Sequence, residues 1–206
     1  FQCNLLLEGF YTRLNHVFVL EEIGKDEEHN AVIKERRNGQ GAEVAGVTVE
    51  GKVAYLSLVQ LQAGVTWQKS HYTRPEKWSK DSSVPAEKRI FRTPDWYGYF
   101  TATYSPVKPL NIALSGTYTG SMIVQHMKGY IPKDMAVTTP DFFDMNLKIS
   151  YDFSLYKFIT LQLNAGVQNI FNAYQRDFDQ GKERDSGYIY GPSMPRSYFA
   201  GAKLMF

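Results

Sequence analysis

The 206-residue sequence predicts an all-β protein, an antiparallel up-and-down transmembrane β-barrel segment. It is read as about eight strands joined by short periplasmic turns and long extracellular loops. Three observations predict it. Long segments alternate apolar and polar residues with period two, and the connections between them are short and long in turn. Aromatic residues, 15% of the chain, gather near both ends of those segments. No helix alternates in this way, because its period is close to 3.6.

The clearest segment begins after Phe158. Ile159, Leu161, Leu163, Ala165 and Val167 share one face, and Thr160, Gln162, Asn164, Gly166 and Gln168 share the other. One face therefore meets an apolar medium and the other meets polar groups. Tyr198, Ala200, Ala202, Leu204 and Phe206 repeat the pattern at the end of the chain.

Taken in order, residues 3–22 read as one long strand of uncertain register, since Leu6 and Phe10 share a face with Asn4 and Glu8. The charged stretch 25–38 reads as a solvated loop in which Ala31, Val32 and Ile33 extend a strand. Residues 41–53 place Ala45, Val47 and Val49 outward and Gly46, Thr48, Glu50 and Lys52 inward. Residues 57–72 set Val59, Leu61, Ala63, Val65 and Trp67 against Gln60, Gln62, Gly64, Thr66 and Gln68. Strands follow over 96–104 and 110–121. In 142–155, Phe143, Met145, Leu147, Ile149, Tyr151 and Phe153 alternate with Asp144, Asn146, Lys148, Ser150 and Asp152, a polar row that makes no dry core.

Tight turns near residues 54, 107 and 156 alternate with long polar connections near 25–38, 73–92, 123–140 and 175–193. Alternate connections of an antiparallel meander lie at opposite ends, so one rim is short and the other long. Outer-membrane barrels have this asymmetry. The ten steps from Phe143 to Phe153 span roughly 33 Å, or about 25 Å along the membrane normal at a tilt of ~40°. That equals the height of an apolar band. Trp67, Trp96, Tyr118, Phe143, Phe171 and Tyr198 gather toward the long loops, and Tyr55, Tyr104, Phe153, Tyr156, Phe158 and Phe206 toward the short turns. Two aromatic girdles follow.

Composition excludes other classes. The formal net charge is +2, with basic and acidic residues interspersed, so no nucleic-acid partner is expected. Cys3 is the single cysteine and permits neither an internal disulfide nor a four-cysteine metal site. His16, His29, His71 and His126 lack metal-ligand spacing, and no phosphate-cradling glycine loop or nucleophile elbow is present, so no cofactor and no catalytic site are expected. Ser121 with His126 is the one pair that could be cast as a lipid-hydrolysing rim, and plain surface residues account for both. The first residue is not Met, and the chain reads as processed or truncated.

The run Gly166-Val167-Gln168-Asn169-Ile170-Phe171-Asn172, then Tyr190-Gly191-Pro192, Pro195-Arg196-Ser197-Tyr198 and Phe206, resembles the C-terminal end of TonB-dependent outer-membrane receptors. Ala45 to Glu50 and Thr93-Pro94 resemble two further barrel elements of that family. The resemblance implies that residues 1–206 are the C-terminal portion of such a barrel, with the plug and earlier strands absent. It implies a place in the cell outer membrane of a Gram-negative bacterium. The activity implied is energy-dependent uptake of a scarce nutrient, a ferric siderophore first, with cobalamin, haem or a glycan as the other options, and no enzymatic step. The implied partners are outer-membrane lipid, a small-molecule or metal-chelate ligand, the plug domain, the TonB energy-transducing complex and the barrel-assembly machinery, for which Phe206 is the expected signal.

From the residues themselves, Gln62, Asp144, Asn146, Lys148, Gln162, Asn164 and Lys203 are expected to line a lumen. Charge on the lipid side costs ~2–4 kcal/mol for Arg or Lys at midplane. Arg176, Arg184, Tyr188 and Tyr190 in the last long loop are the candidate ligand contacts, with a merely solvated loop as the plainer reading. A self-contained small outer-membrane barrel with a structural or adhesive role is the competing reading, and its sign is the first strand pairing with the last.

Overall fold

The computed structural model describes every residue except Asn30, and Glu22 by its backbone alone. In chain order the strands are β1 (Gln2–Leu14), β2 (Phe18–Asp26), β3 (Ala31–Asn38), β4 (Ala42–Tyr55), β5 (Val59–Glu76), β6 (Glu87–Arg89) and β7 (Trp96–Val107). They continue as β8 (Leu110–Thr119), β9 (Ile123–His126), β10 (Met135–Thr138), β11 (Phe142–Tyr156), β12 (Ile159–Gln168) and β13 (Ser197–Met205). The main sheet runs β1-β4-β5-β7-β8-β11-β12-β13, antiparallel throughout, with β6 added to β5. Among the described residues β1 and β13 do not pair, so the sheet is open.

Register turns the alternation into two faces. Leu147, Ile149, Tyr151 and Phe153 of β11 stand opposite Val167, Ala165, Leu163 and Leu161 of β12, and Lys148, Ser150 and Asp152 opposite Gly166, Asn164 and Gln162. The apolar face is the bare one throughout, and toward the capped rim burial runs opposite to that of a soluble protein. On the apolar face Val65, Ile149 and Leu163 are each 43% exposed, whereas Thr66 and Gln68 on the polar face are 5% and 8% exposed. A sheet in water would bury the first set. This one leaves it bare for a lipid environment and curls its polar side inward.

The polar face is hydrogen-bonded across strands. Thr48 and Thr66 hydroxyls meet at 2.9 Å, Gln62 Nε2 donates to the Tyr99 hydroxyl at 3.2 Å, Tyr99 donates to Glu50 at 3.2 Å, and Gln162 Nε2 donates to Asp152 at 2.8 Å. The apolar face carries aromatic clusters at both ends. Phe143 stacks between Phe100 and Phe171 at 6.3 and 5.8 Å and Trp67 lies 6.4 Å from Trp96, while Tyr151 and Phe153 sit 4.6 Å apart toward the short turns. The expected girdles are thus contacts between side chains.

Four expectations need correction. Residues 3–22 are not one strand, because the chain bends at Asn15 and His16 and leaves the sheet. The stretch 25–38 is not a loop. Its residues from Ala31 pair with β2 in a separate hairpin, whose base is closed by Val17 N–H to Gln40 O at 3.1 Å and Gly39 N–H to Val17 O at 2.8 Å. The connection 122–140 contains the β9–β10 hairpin, and β5 runs on to Glu76 within the expected loop 73–92. Finally, the long loops are not simply solvated: Ile123, Val124, Phe142, Tyr188 and Tyr190 make up most of the buried apolar residues of the structure.

Candidate functional site

The three long connections after β5, β8 and β12 join into a single cap at one end of the sheet. Phe142 seats it. This ring belongs to the polar-face set, through the row Phe142, Thr119, Tyr97, Thr66, so the cap packs over the inward side of the sheet. Val124, Tyr188 and Tyr190 pack on it. Gly191, at φ 74, brings its backbone against the Phe142 ring, where a Cβ would lie 2.6 Å from the ring edge. Only glycine meets both demands.

Side chains reaching for distant backbone bolt the loops together. Ser79 donates to Asp134 at 2.5 Å, and Asp134 accepts the Lys128 N–H at 2.7 Å. Arg92 donates to the Ile189 carbonyl at 2.8 Å and also to the Gly187 carbonyl. His126 Nε2 lies 2.9 and 3.0 Å from the carboxylate oxygens of Asp179, which also accepts the Asp185 N–H at 2.9 Å. A carboxylate only accepts, so Nε2 carries the hydrogen. Asp185 in turn accepts the Met127 N–H at 2.8 Å.

Tyr188 stacks face to face on His126 at 3.7 Å. Its hydroxyl donates to Asp177 at 2.7 Å and that of Tyr190 donates to the same carboxylate at 2.6 Å. Burial first, and then Asp177, pushes both phenols up, that of Tyr190 to about 12. Burial pushes Asp177 up as well, but the Tyr190 and Tyr188 hydroxyls hold it below its ordinary value. Gln175, 1% exposed, receives the Tyr190 N–H at 2.8 Å and donates to the Tyr188 carbonyl at 3.1 Å.

The cap is fastened to the sheet by the Asn169–Asn172 turn. Asn169 and Asn172 take φ of 50 and 54, a left-handed conformation that asparagine tolerates better than most residues. Asn169 Nδ2 donates to the Ala173 and Met194 carbonyls, both at 2.9 Å, and its Oδ1 accepts the Ala173 N–H at 2.8 Å. Asn172 Oδ1 accepts the Arg196 N–H, and Arg196 Nε donates to the Ile170 carbonyl, each at 2.9 Å. The turn leaving β12 is thereby tied to the entry of β13.

The candidate ligand contacts divide in two. Arg176 and Arg184 are exposed, Arg176 lying 5.6 Å over the Tyr174 ring. Tyr188 and Tyr190, 2% and 7% exposed, form the cap's interior with both hydroxyls engaged. The expected lumen residues share one face: Asp144, Asn146 and Lys148 oppose Thr117, Ser115 and Ala113, Asn164 and Gln162 oppose Gly201 and Lys203, and Gln62 opposes Lys52 and Thr101. Phe206 lies just past β13 and is 99% exposed. Ser121 is exposed, and His126 is held beneath Tyr188 by Asp179, so the two make no hydrolytic pair.

Sequence reading missed His126, Gln175, Asp177 and Asp179 as the cap's framework. Gln175, Asp177 and Asp179 stand at period two, but in a stretch that forms no strand, and only the fold brings them to His126. Among the described residues no group of three metal-ligating side chains converges.

An open antiparallel sheet with an exposed apolar face, an inward polar face and a capped long-loop rim defines a membrane β-barrel wall. The chain belongs to the TonB-dependent receptor family: the family described as "TonB dependent receptor-like, beta-barrel" matches residues 4–170. It is a family of transport receptors, not of enzymes. The fold is similar to that of the siderophore receptor PirA from Acinetobacter baumannii, at 16% identity and TM-score 0.60, over 99% of this chain and 30% of that one. It is also similar to the ferric-catecholate import receptor Fiu from K12 E. coli, at 20% identity and TM-score 0.58, over 98% of this chain and 25% of the other. The FrpB iron transporter from Neisseria meningitidis matches at 13% identity and TM-score 0.58, over 97% and 28%. The chain thus spans between a quarter and a third of these structures. No curated protein matches it.

Proposed function

We propose that the chain is the C-terminal part of an outer-membrane receptor of a Gram-negative bacterium that takes up a ferric siderophore in an energy-dependent way. The observation that carries this reading is the bare apolar face of the sheet, with valine, isoleucine and leucine exposed along it while Thr66 and Gln68 are covered on the opposite face near the capped rim. Gln62, Asp144, Asn146, Lys148, Gln162, Asn164 and Lys203 then line the lumen beside the plug domain. The plug, the TonB complex and the barrel-assembly machinery, reading Phe206, are its partners.

The cap supports an anionic metal chelate as the ligand. Asp134, Asp179 and Asp185 turn their carboxylates onto internal donors, while Lys128, Lys133, Arg176, Lys182 and Arg184 remain exposed. These acids hold the cap together, and the cations face outward beside the exposed Asp81, Asp141 and Glu183. Tyr188 and Tyr190 act in this reading by holding the loop that presents the arginines.

The test is ferric-siderophore binding by the complete receptor, followed by fluorescence quenching. Replacing Arg176 and Arg184 together by alanine is expected to weaken binding about tenfold, the loss of two exposed charge contacts. Unchanged affinity removes the loop from the site. Binding of cobalamin or haem in place of any ferric siderophore overturns the substrate. The competing reading, a self-contained small barrel, requires pairing of β1 with β13, which is absent among the described residues.

A further inference from the structure

The β2–β3 hairpin continues the β1–β4 ribbon. Leu14 opposes Ala42, and beyond the bend at Asn15 and His16 Phe18 opposes Asn38, with no residue gained or lost on either strand. β2 therefore carries the open edge of β1 past the rim, and β3 extends β4 on the other side. There β5 follows only as far as Glu76. Its carboxylate accepts the Gln40 N–H at 2.9 Å and Arg37 Nη2 at 3.3 Å before the chain leaves for β6.

From Phe18 to Asp26 the arm spans roughly 26 Å at ~3.3 Å per residue. Phe18 and Leu20 are 71% and 64% exposed on β2, and Val32 and Ile33 are exposed on β3. A two-stranded hairpin is marginal in water, so bare apolar side chains on both strands call for a further partner. Among the described residues only β3 pairs with β2.

The backbone shows which groups are open. The Gly39 N–H donates to the Val17 carbonyl at 2.8 Å, so by alternation Val19 and Glu21 bond to β3, while Phe18, Leu20 and Glu22 turn their N–H groups to the free side. Arg36 and Lys34, opposite Leu20 and Glu22, turn theirs to the free side of β3. In the main sheet the Thr73 N–H donates to the Gly41 carbonyl at 2.8 Å, so odd-numbered residues of β4 face β5. Their partners Leu5, Leu7 and Tyr11 then face the open edge of β1.

We propose that β2 takes a third strand: the barrel segment that precedes β1 in the complete receptor runs out beyond the membrane and pairs antiparallel with the free edge of β2. The inference rests on the C-terminal-part reading above. On that reading a strand already lies along β1, and β2 offers it the same edge without a break. Ladder hydrogen bonds hold it, and apolar residues beside Phe18 and Leu20 cover them. The arm is then a fixed part of the extracellular wall, anchored on its other side by Glu76.

Hydrogen exchange at single-amide resolution on the complete receptor tests this. The Phe18, Leu20 and Glu22 amides are expected to exchange at least about tenfold more slowly than those of Lys34 and Arg36, and a smaller difference overturns the proposal. Two proline variants give a second reading, since proline is tolerated where an edge N–H is free. Leu20→Pro is expected to speed exchange at Phe18 and Glu22 about tenfold, the loss of one ladder bond, and Arg36→Pro to leave them unchanged. Equal effects of the two variants overturn it as well. Fast exchange at Leu20 with slow exchange at Leu5, Leu7 and Tyr11 sinks this inference alone. Fast exchange at all four means that no strand lies along β1, and the receptor reading falls with it.

Discussion

Asp179→Ala tests whether the cap is one cooperative unit. The Asp179 side chain is 2% exposed and His126 is 9% exposed, and the carboxylate holds both His126 Nε2 and the Asp185 N–H. Removing the carboxylate leaves two donors unsatisfied, the His126 Nε2 hydrogen and the Asp185 N–H, at about 1–3 kcal/mol each, or ~4 kcal/mol together. At 1.4 kcal/mol per decade, a loss of ~4 kcal/mol raises the cap's opening constant nearly a thousandfold.

Hydrogen exchange on the complete receptor reads this directly. Peptides from 122–140 and 174–191 are expected to lose protection together, including the amides of Thr139 and Tyr188, bonded at 2.8 and 3.0 Å. The β11–β12 ladder is expected to stay protected. Asp179→Asn keeps one acceptor and falls between, and Arg184→Ala, on an exposed side chain, leaves exchange unchanged. Protection lost equally in cap and ladder, or lost in neither, refutes the reasoning.

The two faces respond differently to charge. Leu163→Lys on the apolar face is expected to cost about 2–4 kcal/mol in folding into lipid vesicles, whereas Thr101→Lys on the polar face costs under about 1 kcal/mol; equal costs sink the face assignment. Gly166→Ala places a Cβ 2.4 Å from the Leu147 carbonyl and 2.5 Å from the Phe199 ring, so destabilisation of about 1–3 kcal/mol is expected in urea titration. Gly9→Ala, in open space, serves as its neutral counterpart. The pH dependence of the cap follows from its phenols and from Asp177. Tyr190 is raised in the folded state, so its contribution is complete below the free phenol value of about 10 and is lost as pH rises through about 12. Asp177 is lowered, so its contribution is present above the free carboxyl value of about 3.9 and is lost as pH falls through the folded value. Cap exchange protection is therefore expected to fall in alkali as pH rises through about 12 and again in acid below about pH 4, and protection that holds at both extremes contradicts the assignment.

The amino-acid order alone determines β4, β5, β7, β8, β11, β12 and β13 of the main sheet and their two faces. Alternation is a local property, and a residue such as Leu161 carries the same polarity relation to Thr160 and Gln162 whatever surrounds it. Register could not be read in this way for β1, where Leu6 and Phe10 blur the pattern. Pairing with β4 decides it, placing Phe10 opposite Gly46, where the missing side chain makes room for the ring. The break at Asn15 and His16 was equally hidden, because the polarity of β1 runs on into β2 without interruption.

The cap was decided by tertiary structure. The bonds that join its loops to one another link residues 53 to 97 positions apart, such as His126 with Asp179 and Arg92 with Ile189. Charge-rich loops read as solvated when each residue is weighed singly. Here the acids meet donors supplied by another loop, and the tyrosines fill space opened by Gly191. A carboxylate's partner is set by the three-dimensional path of the chain, which carries no signature in local spacing.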